Sequence, residues 1–337
     1  MENHNRDLLQ VLTREGVLLS VSVRYWRGCK KLRPEDLGLS ASKVSDRLIS
    51  LGHKRLLPKE ATAILTLVES RAHALVEAHT FPFLNGLAHF VPNTKLADVT
   101  GKLKELEAEF WKAKEEFIKS YGALRESAAK EWQTMAKRLV DDPDRLVASV
   151  EAAFPPVGRM DRFFGFDVQL FQIAAPERLG LDTLALGDQE KLIEARQLAA
   201  QEAAQKIRNE AEAFVADCVA TLREQTATLC QEMLESINTC ETGVHQKTLN
   251  RLVKFIEQFK QMNFVDDHEM ERQLEAVRKE LLTRTAEEYR DSSSARNQLV
   301  TGLSQLRDTA KRLATQDAAE LVQRFGEMGR RKFHLAA

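Results

Sequence analysis

A long stretch without a helix-breaking residue constrains this chain most. Between Gly187 and Cys240 there is no Pro and no further Gly, and the apolar residues recur at helical spacing. At 1.5 Å per residue, one helix over this stretch is roughly 75 to 80 Å long, which is typical of a stalk or a bundle arm. The predicted apolar face comprises Leu192, Ile207, Ala211, Phe214, Cys218, Leu222, Leu229, Met233 and Ile237.

Three more helices are predicted after this stretch, over 246–262, 268–289 and 294–325. The polar cluster from Asp291 to Ser294 has the composition of a turn followed by a helix cap. The C-terminal half is therefore expected to be entirely helical. The seams predicted for the last two helices are Met270, Leu274, Val277 and Leu281, and Leu299, Leu303, Leu306, Ala310 and Leu313.

Two helices are predicted in the N-terminal half. Pro58 is placed to start the first, which extends to about His79. The second begins near Leu96 and alternates steps of three and four, so its heptad seam requires a partner helix. The predicted apolar positions are Ile64, Leu67, Val68 and Leu75 in the first helix, and Leu96, Val99, Leu103, Leu106, Phe110, Ala113 and Phe117 in the second.

Three segments alternate apolar and polar residues as strands do: 17–26, 81–91 and 163–173. In the second, Asn85-Gly86 separates two apolar arms as a tight hairpin requires, and Pro82 confines its arm to a sheet edge. Together the segments predict a small antiparallel sheet.

The predicted fold is mainly α: a long-helix bundle or coiled-coil arm with a small antiparallel β element in an N-terminal α+β head. We place the boundary near residue 180, so that 1–180 form the head with a long helix pair. Residues 181–337 then form the all-helical bundle or coiled-coil arm. Long helices with exposed seams seldom stay alone, so self-association into a homo-oligomer is expected.

The charge balance gives the whole chain no field that would attract nucleic acid or an anionic membrane. Lys and Arg total 49, and Asp and Glu total 50. The four cysteines form no CxxC pair, and no stretch of 18 uncharged apolar residues occurs. We expect a protein of a reducing compartment, the cytoplasm.

The residue patterns of common enzyme classes are missing from the sequence. It contains neither GxxxxGK[ST] nor GxGxxG, and His73 and His79 are six residues apart, which puts them on different sides of a helix. Cys29 lies among basic residues but has no histidine tied to it by a local pattern. Asp141 to Asp144 is better explained as a helix end and a new N-cap. No enzyme activity, cofactor or metal is expected.

Two segments are candidates for binding a partner. A basic patch surrounds Tyr25, with Arg24 and Arg27 beside the candidates given below, and an apolar hairpin follows Thr80. The patch favours a solvated rim or an acidic protein partner, with nucleic acid as an alternative that the basic tail Arg330-Arg331-Lys332 also suggests. The hairpin leaves membrane insertion as a further alternative, although it is too short to span a bilayer twice. The candidates are Trp26, Lys30, Lys31 and Arg33 in the patch, and Phe83, Asn85, Gly86 and Phe90 in the hairpin.

Several strings of this sequence resemble a bacterial family defined only as a domain of unknown function. They are WRGCKKL at 26–32, PEDLG at 34–38, LGHKRLLPKE at 51–60, FLNGLAHFVP at 83–92 and FWKAKEEF at 110–117. The resemblance is closest over 17–180 and looser over the helical arm.

The resemblance implies a partnership rather than a reaction. Members of that family are encoded beside a MoxR-type AAA+ ATPase and a von Willebrand factor A protein, an arrangement similar to the cobalt chelatase subunits. It implies a non-catalytic structural or adaptor subunit of that module, serving mobile-element maintenance or anti-phage defence. The alternatives are a nucleic-acid-associated protein in recombination or transfer, and a helical pore-forming or membrane-remodelling effector.

Overall fold

The computed structural model describes residues 2–39, 51–84, 86–172, 174, 190–239, 244–315, 321–323 and 325. The described part is mainly helical with a small antiparallel sheet, as predicted. The helices are α1 (Glu2–Glu15), α2 (Ala63–His79), α3 (Asn93–Leu139), α4 (Pro143–Ala152), α5 (Glu190–Thr239), α6 (Gln246–Met262), α7 (His268–Leu281), α8 (Ala286–Asp291) and α9 (Ser293–Ala314). The strands are β1 (Gly16–Arg24), β2 (Cys29–Lys31), β3 (His53–Arg55), β4 (Phe81–Phe83), β5 (Ala88–Pro92) and β6 (Gly165–Phe171).

The three predicted strand segments meet in one four-stranded sheet of order β4-β5-β1-β6. β1 pairs with β5 in antiparallel register from Gly16 opposite Pro92 to Leu19 opposite His89. β4 and β5 form the predicted hairpin, with β4 at the sheet edge as Pro82 requires. A separate two-stranded ribbon, β2 with β3, was not predicted.

The chain forms two compact units. The first, which we call the helical unit, comprises Met1–Leu19, His79–Ala97 and Leu170–Ala337. The second, which we call the ribbon unit, comprises Ser20–Ala78 and Asp98–Gln169. The N-terminal helix and the hairpin thus belong with the C-terminal helices, and β1, α3 and β6 each contribute residues to both units.

The core of the helical unit is built from the predicted seams. α5 packs most extensively on α9, and the hairpin aromatics join the same core through ring contacts with Phe214 and Phe264. The long stretch without Pro or Gly, which was predicted to be one helix, forms the 50-residue helix α5. The predicted seam residues found buried are Ala211, Phe214, Cys218, Leu222, Leu229, Met233, Ile237, Met270, Leu274, Val277, Leu299, Leu303, Leu306, Ala310 and Leu313; Leu192 lies where side chains are outside the described part.

A buried arginine joins three helices of this unit. Arg223 on α5 donates to Asp267 Oδ2 at 2.7 Å and to the backbone oxygen of Leu313 near the end of α9, also at 2.7 Å. Asp267 is the N-cap of α7 and accepts from the backbone N–H of Met270 at 3.3 Å. Both partners of this ion pair are almost fully buried. Its hydrogen bonds must therefore compensate the free-energy cost of removing both charges from water.

The α3 seam forms the core of the ribbon unit, although its aromatic part does not face the partner helix that we predicted. The Phe110 ring packs at a tilt against Phe164, just before β6, and against Phe166 in β6. Phe117 packs against Trp26 and Phe164. Strand and loop residues with large rings thus cover this part of the seam.

Helix α2 is rotated relative to the predicted face: of the predicted positions, Val68 is buried and Leu75 is half-buried. Leu65, Val68, Ala72 and Val76 are buried, whereas Ile64 is 58% exposed and Leu67 is 57% exposed. The helix is apolar on more than one side, so apolar spacing alone does not fix its rotation. The polar contacts of Glu69 fix it instead, because this carboxylate pairs with Arg27 and accepts from Tyr25.

Both predicted helix starts at polar clusters are confirmed. Asp142 caps α4, accepting from the backbone N–H of Arg145 at 3.2 Å. Ser292 caps α9, and its hydroxyl accepts from the backbone N–H of Ala295 at 3.2 Å. The local chemistry of these two turns was therefore sufficient to locate them.

Candidate interaction site

The β2-β3 ribbon presents the basic segment on a rigid backbone. Its antiparallel register places Cys29 opposite Arg55, Lys30 opposite Lys54 and Lys31 opposite His53. The pairing continues on both sides: the backbone N–H of Leu56 donates to the Gly28 oxygen at 2.6 Å, and that of Leu32 donates to the Gly52 oxygen at 3.0 Å.

Glycines occupy the two positions where the backbone enters the ribbon. Gly28 has φ +59° and Gly52 has φ +74°, in the left-handed region that other residues adopt only at a cost. This explains why WRGCKKL and LGHKRLLPKE each contain a glycine close to the basic residues. The two strings, far apart in sequence, are the two strands of one ribbon.

A buried cluster of Asp36, Lys54 and Ser149 anchors the ribbon. Lys54 Nζ lies 2.8 Å from Asp36 Oδ1 and 2.8 Å from Ser149 Oγ, and Ser149 Oγ donates to Asp36 Oδ1 at 2.6 Å. The other carboxylate oxygen accepts from the backbone N–H of Arg33 at 2.9 Å. The cluster joins the 3₁₀ turn Pro34–Leu37, strand β3 and helix α4.

The balance of these contacts keeps Asp36 ionised. Burial by itself raises the pKa of Asp36, but the hydrogen bonds from Lys54, Ser149 and the Arg33 backbone outweigh it, and the net pKa is lowered. An ionised Asp36 matches the charge of Lys54. The cluster is therefore a structural ion pair, and the free charge of the ribbon comes from its other basic residues.

Those other basic residues divide into paired and unpaired groups. Arg24 pairs with Asp167 at 3.4 Å and Arg27 pairs with Glu69 at 2.6 Å. The other four are Lys30, Lys31, Arg33 and Arg55. Within the described residues they have no carboxylate at ion-pair distance, and all four are exposed. Strand pairing thus adds Arg55, from β3, to the predicted basic patch. We call the four unpaired residues the basic ribbon; they are Lys30, Lys31, Arg33 and Arg55.

Trp26 does not belong to this exposed surface, which corrects its prediction as a partner-binding residue. Its side chain is 6% exposed, and its ring packs against Phe117, Tyr121 and Phe154 at centroid distances of 6.2, 5.6 and 6.0 Å. Tyr25 is also buried, with its hydroxyl 2.9 Å from Thr66 Oγ1. Both aromatic residues are core residues of the ribbon unit.

The hairpin candidates belong to the other unit, and the two phenylalanines among them are core residues as well. Phe83 and Phe90 are buried, and both rings lie against Phe214, at 4.8 and 5.5 Å. Gly86 is exposed at the hairpin turn with φ +81°, and Asn85 lies outside the described residues. The two phenylalanines attach the sheet to the helical core, which is the structural alternative to membrane insertion.

Other reactive groups are placed as core residues or offer no site. Burial raises the pKa of the Cys230 thiol to about 12, and that of Cys218 well above its ordinary value. Among the residues described, no three His, Cys, Asp or Glu side chains are grouped to hold a metal ion. The helices described include none with an apolar stretch long enough to cross a membrane. The basic tail at 330–332 lies outside the described residues.

The fold and the site define a mainly helical protein that presents a small, rigid, basic β-ribbon. The chain matches, over residues 13–308, the family described as "Protein of unknown function (DUF3150)", and it belongs to that family. Neither a curated protein nor a solved structure matches the chain. The match includes both strands of the basic ribbon and most of the helical unit.

Proposed function

We propose that this chain is a non-catalytic structural or adaptor subunit of a module that contains a MoxR-type AAA+ ATPase and a von Willebrand factor A protein. The main support is the basic ribbon, an exposed group of cations that have no carboxylate at ion-pair distance among the described residues, on a backbone held by a buried ion pair. The family resemblance supplies the identity of the partners and the setting, mobile-element maintenance or anti-phage defence.

The ribbon suits docking because its backbone is already ordered in the free chain. The Asp36–Lys54 pair and two glycine turns hold the backbone, so little conformational entropy is lost when a partner binds. Exposed cations that face acidic groups on a partner accelerate association and set its orientation. A subunit of this kind would position one partner relative to the other without taking part in the chemistry of ATP.

Co-purification of the three proteins tests this proposal. The tagged chain is co-expressed with the ATPase and the von Willebrand protein, with and without a non-hydrolysable ATP analogue, after nuclease treatment. We expect both partners to be recovered with the wild-type chain. The charge reversal Lys30→Glu, Lys31→Glu, Arg33→Glu should reduce recovery of the partner that docks on the ribbon. Failure to recover either partner under any condition would refute the proposal.

A matched control separates a local effect from a change in total charge. Lys247, Lys254 and Arg290 are exposed and, among the described residues, have no ion pair. The triple reversal of these three residues changes net charge by the same amount in the helical unit. It should leave recovery of both partners unchanged.

The same unpaired cations favour nucleic-acid binding as a second candidate function. Phosphate contacts from three or four cations would give weak binding that decreases steeply with salt. A labelled oligonucleotide should then lose affinity for the chain after the ribbon reversal, and the salt slope should become shallower. No binding at low salt would eliminate this candidate.

A further inference from the structure

The outer edge of strand β2 carries backbone groups that point away from its partner strand. The backbone hydrogen bonds at Gly28 and Leu32, on either side of β2, fix the alternation of the ladder. Lys30 lies midway between them, so its N–H and C=O groups both point toward β3. The N–H and C=O groups of Cys29 and Lys31 therefore point outward, away from β3.

These outward groups have no hydrogen-bond partner among the described residues. Within that part of the chain, β2 pairs with β3 and with no other strand, and no further backbone hydrogen bond reaches Cys29 or Lys31. Lys31 is exposed and Cys29 is half-buried. The β3 edge of the ribbon differs, because the indole N–H of Trp132 in α3 donates to the Arg55 backbone oxygen at 3.0 Å. The ribbon is therefore covered at its β3 edge and open at its β2 edge.

The spacing of the open groups matches an extended polypeptide. Donors and acceptors alternate along the edge with the repeat of a β-strand, so a neighbouring strand can satisfy all of them at once. The extended backbone continues to Arg33, at φ −96° and ψ 150°. The Arg33 N–H already donates to Asp36 Oδ2, so the open edge ends at Lys31. A DNA backbone offers phosphate acceptors but no donors, and it would leave the carbonyl groups of this edge unused.

The side chains along the open edge are basic, which selects an acidic strand. Lys30, Lys31 and Arg33 are exposed and, within the described part, have no carboxylate at ion-pair distance. Lys31 shares a face of the ribbon with Arg55, and Lys30 lies on the other face. Carboxylates on a neighbouring strand would thus meet a cation on either face. A second copy of this edge would instead set lysines beside lysines, which is unfavourable.

We infer that a partner protein adds an acidic, extended segment to the open edge of β2, as a further strand of the ribbon. The backbone groups of Cys29 and Lys31 would bond to the segment, and Lys30, Lys31 and Arg33 would pair with its carboxylates. The backbone bonds would fix the register, and the cations would select the charge. This inference rests on the proposed adaptor function and specifies the conformation and charge of the segment that docks.

Peptides that differ in backbone or charge test the inference on the full-length chain. The probe is a capped peptide of about nine residues in which Glu alternates with Thr. One comparison peptide is N-methylated at consecutive central amides, which keeps its charge but removes N–H donors from both edges. A second replaces each Glu with Lys. Fluorescence anisotropy measures affinity, and NMR measures hydrogen exchange at the backbone amides of Cys29, Lys30 and Lys31.

We expect the acidic peptide to bind about tenfold or more tightly than either comparison peptide. At saturation it should slow exchange of the Cys29 and Lys31 amides by about tenfold or more, because they become hydrogen-bonded. The Lys30 amide, already bonded to β3, should change little. Equal binding of the acidic and N-methylated peptides, or binding that leaves Cys29 and Lys31 unprotected, would overturn the inference. Protection that rises with chain concentration without peptide would overturn it in favour of a second copy.

Two substitutions at Lys31 separate the backbone from the charge. Lys31→Pro removes the cation and the outward N–H, and proline is tolerated where a strand-edge N–H is unpaired. Lys31→Thr removes the cation and keeps the N–H. We expect Lys31→Pro to bind the acidic peptide about threefold or more weakly than Lys31→Thr. Equal affinities would contradict strand addition, and the N-methylated peptide makes the same test on the wild-type chain if Lys31→Pro does not fold.

The strand inference and the adaptor function can fail separately. If Lys31→Pro recovers the ATPase and von Willebrand proteins as well as Lys31→Thr does, the strand inference is wrong and the adaptor proposal stands. If the acidic peptide binds and protects the amides as expected but neither protein is recovered with the wild-type chain, the adaptor proposal is wrong. The β2 edge then binds an acidic segment of another protein.

Discussion

At the scale of single residues, the position of the basic ribbon depends on a charge that is not exposed. Lys54 belongs to the same strand as Arg55, yet it is buried and satisfied by Asp36 and Ser149. Removing one partner leaves the other as a buried, uncompensated charge, which costs more than the pair contributes. The cluster therefore controls both the stability of the ribbon unit and the presentation of its free cations.

Lys54→Met should destabilise the chain by about 3 to 5 kcal/mol, because Asp36 stays buried without its cation. Equilibrium urea unfolding measures this loss. Lys102→Met removes an exposed pair with Asp98 and should cost less than about 1 kcal/mol. Similar losses in the two variants would show that the Asp36 pair is not buried in solution.

The lowered pKa of Asp36 predicts the acid dependence of stability. A carboxyl with a folded-state pKa below its ordinary 3.8 contributes stability that is present above that value and lost as pH falls through the folded-state pKa. Urea midpoints measured from pH 7 down to pH 2 should show a fall that is shallower in Asp36→Asn. An identical acid profile for the two chains would contradict the assignment.

Gly16 is required by a close approach within the sheet. A Cβ at this position would collide with the backbone oxygen of Val91 and the ring of Phe90. Gly16→Ala should therefore cost about 1 to 3 kcal/mol. Gly101→Ala, in open space on α3, should instead stabilise by up to about 1 kcal/mol. Thermal unfolding of the two variants should shift in opposite directions, and a shift in the same direction would refute the packing described for Gly16.

At the scale of elements, the caps and seams are the parts that the sequence determines locally. The polar turn before α9 was predicted because Ser292 can satisfy a free backbone N–H without any tertiary partner. The α5, α7 and α9 seams were predicted because their apolar residues lie on one face. The rotation of α2 was not predicted in full, because apolar residues occur on several of its faces. Glu69 selects one face through contacts with Arg27 and Tyr25, which are 42 and 44 residues away in sequence.

Ser292→Ala should lower stability by about 1 kcal/mol, since the backbone N–H of Ala295 loses its acceptor. Ser294→Ala changes the same residue type in the same helix at an exposed position and should stay within about 0.5 kcal/mol of the wild type. Calorimetry distinguishes the two. An equal effect would mean that the α9 cap is not formed as described.

At the scale of the whole molecule, pairings between segments far apart in the sequence decide which segments pack together. The hairpin joins the helical unit because Phe83 and Phe90 pack on Phe214, more than 100 residues later in the chain. The ribbon exists because residues 29–31 pair with 53–55. Neither pairing has a local signal, so the sequence indicated the basic patch but not Arg55 or Asp36.

The same packing changes the argument for self-association. That expectation rested on exposed helical seams, and the seams of α5, α7 and α9 are covered within the chain. Self-association of the chain stays a prediction, and among the described residues these seams are not exposed to support it. The basic ribbon is the surface that we assign to a different protein.

The affinity of the purified chain for its purified partners tests the central claim most directly. Dissociation constants for the ATPase and the von Willebrand protein are measured by biolayer interferometry with a non-hydrolysable ATP analogue, for the wild type, the ribbon reversal and the matched Lys247, Lys254 and Arg290 reversal. We predict that the ribbon reversal weakens one partner by about tenfold or more, and that the matched reversal changes nothing. Equal affinities for all three chains, or no binding by any, would contradict the account.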